Sequence, residues 1–463
     1  MLDDTWSTKP ATELAAAIRA TDIKSRELLE LYLDRVERLN GGINAVVTLA
    51  TDRALAEADA ADARTASGAD LPPLHGLPTT IKDAIETEGI RSTGGAVELR
   101  DHIPASDAPA VARLRQAGAI VFGKTNLPRW SGDLQSYNEI FGTTNNPWDH
   151  SLIPGGSSGG AAAAVAAGLT SFELGTDIGG SVRLPSHCCG TYALKPTFGI
   201  VPQRGYLDSV GGGTTDADIN VFGPITRSAA DLELLMSVLA GPEPARAPAW
   251  RVELPPAGPP TLAGRRLAVW LDDPLVPTDH ELLGLLRDAA DAAASAGAIV
   301  TEVRPPVDPA EQIDLFSKLI GSAISVSLGE HADAVAGSHA AWLRNDRERA
   351  ALQSTWADWF GAYDALLTPV MPLPAFEHMQ EGDPGTRSVT VNGVQRPYID
   401  TIFWTGMFGV VYLPVAVVPV AQTVGGIPVG MQVVAPHLHD RDAIAIAGAL
   451  GDVTRGYRVP PGC

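Results

Sequence analysis

Strands and helices are both legible along the 463-residue chain, the mixture of an α/β fold, and three observations bound its architecture. Short β-branched runs alternate with longer segments of helical periodicity throughout the chain. One stretch reads as a complete βαβ-like unit, with a strand at 267–271, a helix at 279–296 and a strand at 299–303. The hydrophobic fraction of 45% is ample for a sizeable core. Length alone suggests about three domains, although large α/β folds often carry such a chain as one unit.

In chain order, residues 12–39 place Leu14, Ile18, Ile23, Leu28, Leu29, Leu31, Leu33 and Val36 at three- and four-residue steps, the pattern of a helix in two pieces. Ser25 is positioned to cap the second piece, with Glu27 and Glu30 near its positive end. An Ala-rich helix follows at 51–64. Residues 76–81 form a short β-branched strand that Lys82 closes, and alternation sets Thr80 and Lys82 on one face, Ile81 and Asp83 on the other. A lone strand-end lysine belongs by default in solvent. A helix at 106–117, capped by Ser106 or Asp107 with Pro109 in its first turn, stops at Gly118.

The next segment, GAIVFGKT at 118–125, satisfies the phosphate-loop pattern. That loop needs a flexible glycine-rich turn between strand and helix. Here the four middle residues are mostly bulky and apolar and read as the strand itself, and Pro128 lies where a helix should begin. Nucleotide binding is therefore not expected.

Residues 126–154 are loop-like, with Trp130, Tyr137, Phe141 and Trp148 among Gly and Asn, which suits a pocket mouth or ordinary packing equally. A helix at 161–167 and a strand at 171–175 lie between two glycine-serine clusters, and 184–202 is dense in Gly and Pro. Ser228 caps a helix to about Leu239. Seven prolines between 241 and 260 mark the clearest compositional break. Helices fill most of 309–362, 364–374 is a buried strand or turn, 410–420 and 430–434 are strands, and 440–450 is a closing helix.

The clusters, GGSSGG at 155–160 and GTDIGGS at 175–181, carry the chemistry. A single Gly-Ser cluster is usually a flexible turn, and two in succession beside regular structure are less readily explained that way. GGSSGG satisfies the nucleophile-elbow pattern twice, with Ser157 or Ser158 central, but NPWDHSLIP before it cannot be the buried strand an elbow requires. In the second cluster, Ile178, Gly179, Gly180 and Ser181 would present consecutive N–H groups to one oxyanion, with a serine able to attack the carbonyl so held. Its proton needs an acceptor, and His187 is the only histidine nearby in sequence.

Together GLPTTIKD, GKTN, NPWD, PGGSSGGAAAAVAAG, GTDIGGSVRLP, GTYALKPTFGIVP and GIPVGMQVV closely resemble the amidase signature family of Ser-Ser-Lys serine hydrolases. The resemblance is strongest over 76–205 and weaker over 243–397. It implies a single α/β domain over 1–463, a mixed, twisted central sheet covered by helices on both faces, with core motifs within 65–240, a Pro-rich connection at 241–262 and a more variable helical, substrate-side region at 263–400. By motif it makes Ser181 the nucleophile, Ser157 the bridging serine and Lys82 the base, with Ile178, Gly179 and Gly180 at the oxyanion. Ser158 becomes a structural neighbour, and a cis peptide joins Gly156 to Ser157. Lys82 must then be neutral, its pKa depressed by burial or hydrogen bonding. One departure is Arg129, where family members commonly have an acidic residue. Lys124 of GKTN takes a structural role.

The resemblance implies hydrolysis of a small-molecule amide, anilide, ester or carbamate, and carbamate cleavage would mark a urethane-degrading enzyme. The acyl pocket is expected from 126–141, 310–340 and 403–408. No metal or organic cofactor is expected. The alternative is a glutaminase-type subunit of a tRNA-dependent amidotransferase, which typically reads DTGGSIRQP where this chain has Ile178 and Leu184. The net charge of −20, from 34 basic and 54 acidic residues, disfavours nucleic-acid and anionic-membrane partners. Cys188, Cys189 and Cys463 make no disulfide framework. The start, MLDDTWSTKP, lacks an apolar signal core, and 409–421 is too short to span a bilayer. A cytoplasmic protein is expected, with a homodimer left open.

Overall fold

In the computed structural model, which describes residues 2–463, the helical periodicity near the start resolves into α1 (Ala11–Ala20) and α2 (Ser25–Ile43). Strand β1 (Val46–Leu49) and α3 (Thr51–Ala66) follow. Ser25 opens α2 but does not cap it. Carboxylates take the free amides of that end instead, Glu27 accepting from Lys24 N–H (3.0 Å) and Asp62 of α3 from Ser25 N–H (2.7 Å). A charged acceptor outcompetes a hydroxyl at the positive end of a helix.

Strand β2 (Pro78–Lys82), α4 (Pro109–Gln116) and β3 (Ile120–Thr125) come next. Neither Ser106 nor Asp107 caps α4. Ala108 holds that position, while Asp107 accepts from Glu88 N–H at 2.8 Å and pairs with Arg115. Gly123, Lys124 and Thr125 all lie inside β3, so the GKT sequence has no loop with which to cradle a phosphate. Residues 126–154 are mostly irregular, with one short pair, β4 (Tyr137–Asn138) and β5 (Gly142–Thr143).

The glycine clusters bracket α5 (Gly159–Ala166) and β6 (Glu173–Asp177), and α6 (Arg183–Cys189) follows the second. Helix α6 departs from the turn-rich reading of 184–202. Pro185 falls in its first turn, where no intrahelical N–H bond is lost. Then come β7 (Tyr192–Lys195), β8 (Val221–Thr226) and α7 (Ala229–Leu239), which Ser228 caps as expected. Beyond the prolines, β9 (Arg266–Val269), α8 (His280–Ser295) and β10 (Ile299–Glu302) form the βαβ unit with parallel strands. Helices α9 (Pro309–Ile324), α10 (Ala332–Ala336) and α11 (His339–Trp359) lead to β11 (Ala365–Pro369). A hairpin of β12 (Ser388–Val391) and β13 (Val394–Pro397), helix α12 (Phe403–Gly409), β14 (Val415–Gln422), β15 (Pro428–Val434) and α13 (Asp440–Val453) complete the chain.

Eight strands form the central sheet in the order β10-β9-β11-β15-β14-β7-β8-β6. It is mixed: β10, β9 and β11 run parallel, and the remaining pairs are antiparallel. Helices flank it, and β15 is buried along its whole length, as the apolar run at its centre requires. The single α/β domain with a mixed sheet is thus the observed fold, with one difference. Strand β2, which bears Lys82, belongs to a separate three-stranded sheet ordered β1-β3-β2. It meets the chain entering β6 mainly through threonines, Thr79 Oγ1 donating to Phe172 O (2.8 Å) and Thr80 N–H to Thr170 Oγ1 (3.0 Å), with one longer backbone bond from Ser171 N–H to Pro78 O (3.4 Å). Among the described residues no helix is long and apolar enough to cross a membrane.

Candidate active site

Lys82, at the end of β2, is fully buried rather than solvated, and its Nζ donates to Ser157 Oγ at 2.6 Å and to Thr176 Oγ1 at 2.7 Å. Burial holds its pKa at about 7 instead of 10.5, against the opposing pull of the Asp177 and Glu173 carboxylates. Glu173 is itself raised to about 7 by burial, despite the hydroxyl that Thr125 donates to it at 2.7 Å.

Two other lysines are equally buried and differ in what they touch. Lys124 donates to Ile85 O (2.5 Å), Thr87 Oγ1 (2.8 Å) and Ser92 Oγ (3.0 Å), tying β3 to the loop after β2. Lys195 donates to Pro196 O at 2.8 Å. Of these three, and among the described residues, only Lys82 hydrogen-bonds to a serine of the glycine clusters.

Ser157 sits on a turn with a cis peptide between Gly156 and Ser157. The loop before it presses close: a Cβ on Gly156 would lie 2.4 Å from Gln135 N, so no larger residue fits. Ser136 Oγ donates to Ser157 O (3.1 Å) and accepts from Gly159 N–H (2.9 Å), fixing the serine's backbone. Ser158 joins the two clusters, its N–H donating to Ser181 O at 3.0 Å and its Oγ to Thr176 O at 3.2 Å. Ser181 is 6% exposed, the least enclosed of the three serines. Among the described residues its hydroxyl forms no hydrogen bond.

The turn from Asp177 to Ser181 is held from within. Asp177 accepts from Gly180 N–H (2.8 Å), Val182 N–H (3.2 Å) and the Arg183 guanidinium (2.9 Å). Burial works against this carboxylate, yet Arg183 and the N–H groups bring its pKa below the ordinary value. Gly180 takes φ +123°, a region L side chains rarely adopt, and Thr405 Oγ1 of α12 donates to Gly179 O at 2.7 Å. The expectation that Gly180 N–H faces an oxyanion is corrected here, since Asp177 occupies that donor. Among the described residues the N–H groups of Ile178, Gly179 and Ser181 form no hydrogen bond.

His187 lies on α6, its Nδ1 accepting from Gly430 N–H at 3.0 Å, and burial lowers its pKa to about 4; it docks the helix on β15 and, among the described residues, hydrogen-bonds to none of the three serines. Trp148 Nε1 donates to Cys189 O at 2.9 Å and is packing. Arg129 is exposed, pairs with Glu98 at 2.7 Å, and lines a cleft of about 370 Å³ with Asp133 and Tyr137. Thr176, Ser136 and Thr405 were not legible as site residues, because each acts through a neighbour distant in sequence. Asp177 and Arg183 did leave a signal, two opposite charges flanking an otherwise uncharged glycine turn.

Residues 27–326 and 314–443 match the family model described as Amidase. The sequence is 34% identical to a subunit of the glutamyl-tRNA(Gln) amidotransferase of Chromohalobacter salexigens over 96% of each chain. It is 33% identical to the indoleacetamide hydrolase of Bradyrhizobium diazoefficiens, over 96% of this chain and 86% of that one. The solved structure of a bacterial aryl acylamidase, assigned to the amidase signature enzymes, matches with a TM-score of 0.86 at 28% identity, covering 98% of this chain and 99% of that one.

Proposed function

The chain belongs to the Amidase family, and from that premise we propose that it hydrolyses carbon–nitrogen acyl bonds through an acyl-enzyme on Ser181. One observation carries the reading: a buried lysine with a pKa of about 7 lies 2.6 Å from a serine hydroxyl, on a turn bonded to the backbone of a second, more open serine.

In the neutral state of Lys82, Nζ accepts the Ser157 proton while Ser157 accepts that of Ser181, and Ser181 Oγ bonds to the substrate carbonyl carbon. The oxyanion so formed is held by the N–H groups of Ile178, Gly179 and Ser181. The C–N bond breaks as the leaving nitrogen takes the proton back along the relay. Water then adds to the acyl-enzyme carbonyl and gives its proton to the same relay; the Ser181 Oγ–acyl bond breaks as that proton returns to Oγ, and the acid is released. Amides, anilides, esters and carbamates all pass through such an oxyanion.

A second reading, a glutaminase-type subunit of a tRNA-dependent amidotransferase, is favoured by the 34% identity to a subunit of such an enzyme. Ile178 and Leu184 in DIGGSVRLP speak for the stand-alone enzyme. The discriminating experiment uses the purified chain alone on a panel of aryl amides, aliphatic amides, esters, aryl carbamates and glutamine. Turnover of an amide other than glutamine, undiminished by chelator and abolished in Ser181→Ala, is the expected result. Hydrolysis of glutamine alone would favour the second reading, and a Ser181→Ala variant at near-normal rate would overturn the mechanism.

A further inference from the structure

Helix α9 carries Gln312, Phe316, Ile320 and Ile324 at four-residue steps, which places them in one row along its surface. The row is anchored at its start. Gln312 Nε2 donates to Met407 O of α12, and its Oε1 accepts from Trp356 Nε1 of α11 at 3.2 Å. Along the row exposure rises: Phe316 is 3% exposed, Ile320 is half-buried, and Ile324 is 37% exposed.

The buried end meets the nucleophile turn. A methyl group built on Gly179 would stand 3.4 Å from Ile320 Cδ1, 3.5 Å from Phe316 Cζ and 3.7 Å from Ile402 Cδ1, so three hydrocarbon tips converge two residues from Ser181. At the outer end the surface stays apolar, with Val326 and Val335 both exposed; Val335 also packs against α9 at Gly321. The charges of α9 lie off this row, Asp314 and Lys318 pairing with each other at 2.5 Å. Exposed aliphatic residues scattered singly need no explanation. An unbroken row from solvent to the turn that holds a nucleophile does.

We propose that this row is a subsite for the extended apolar arm, alkyl or aryl, of the substrate. The proposal rests on the reading of Ser181 as nucleophile and names the chemistry that reading leaves open. Hydrocarbon walls select by area: each methylene taken from water onto such a wall raises reactivity by about three- to fourfold at most, until the arm passes Ile324.

Alkyl fluorophosphonates test this without knowledge of the natural substrate, since labelling forms an Oγ–P bond at Ser181 as fluoride leaves. One series lengthens the chain on phosphorus, the acyl side, from methyl to decyl. A second lengthens the alkoxy chain, which also stays on phosphorus as fluoride leaves and samples the other side of the site. The labelling rate should climb with length in at least one series, which identifies the arm. In Ile324→Glu the ratio of the longest to the shortest probe should fall by about tenfold, whereas Val424→Glu, a charge on a remote, fully exposed turn, should leave the ratio unchanged. Rates independent of length in both series, or an unaltered ratio in Ile324→Glu, would overturn the subsite. Failure of every probe to label Ser181 would instead overturn the nucleophile reading on which it stands.

Discussion

At Lys82 the sign of the pH dependence follows from what a base must be. Only the neutral amine accepts a proton, and burial has brought the Lys82 pKa down to about 7, so activity should rise with pH through that value. Below it kcat/KM should fall about tenfold per pH unit, and a profile flat from pH 5 to 8 would remove Lys82 as the base. Lys82→Arg should be inactive throughout, because a guanidinium does not lose its proton in this range. Thr176 refines the argument. Its Oγ1 accepts from the charged form of Lys82 at 2.7 Å, so Thr176→Val should destabilise that form, move the ascending limb to lower pH, and cost roughly tenfold in kcat/KM through lost orientation. An unmoved limb would show that the threonine does not set the lysine's charge.

The turn that carries Ser181, the proposed nucleophile, is an element whose conformation depends on one ion pair. Asp177 and Arg183 are both fully buried, 2.9 Å apart, and the carboxylate also holds two turn amides. Removing one partner leaves a buried charge without compensation, which costs about 3–5 kcal/mol, so Arg183→Ala should unfold at markedly lower urea and label poorly at Ser181 even where folded. The elements themselves were largely legible. Periodicity located α2, α8 and α13, the βαβ unit followed from alternation, and Pro419 did not prevent β14, because a register shift between Pro419 and Ala421 absorbs it. Other features were not legible for physical reasons. Asp62 caps α2 from another helix, and α12 carries no period because every one of its residues is buried. The link between β2 and the main sheet runs largely through threonine hydroxyls at a sheet edge, which leave no pattern in the sequence.

Across the whole molecule, the loop that buttresses Ser157 is held by a segment 254 residues away. Arg387 Nη1 pairs with Asp133 Oδ2 at 2.6 Å, both side chains 5% exposed, and the hydroxyls of Tyr137 and Tyr398 each donate to the same carboxylate at 2.8 Å. Gln135 adds a two-way link to Met379, accepting from its N–H (2.9 Å) and donating to its carbonyl (2.6 Å). Because Gln135 lies against Gly156 and Ser136 holds Ser157 O, displacement of this loop should reach the proposed relay. Arg387→Met leaves Asp133 charged and buried, and should lower stability by about 3–5 kcal/mol in urea unfolding. Adding Asp133→Leu removes the orphaned charge, so the double variant should recover much of that loss, although the tyrosine hydroxyls lose their acceptor. A double variant as unstable as the sum of the singles would mean that the two side chains act independently. In that case the loop is positioned by Gln135 and Ser136, and stability and turnover should separate, with Gln135→Ala lowering turnover more than Arg387→Met does.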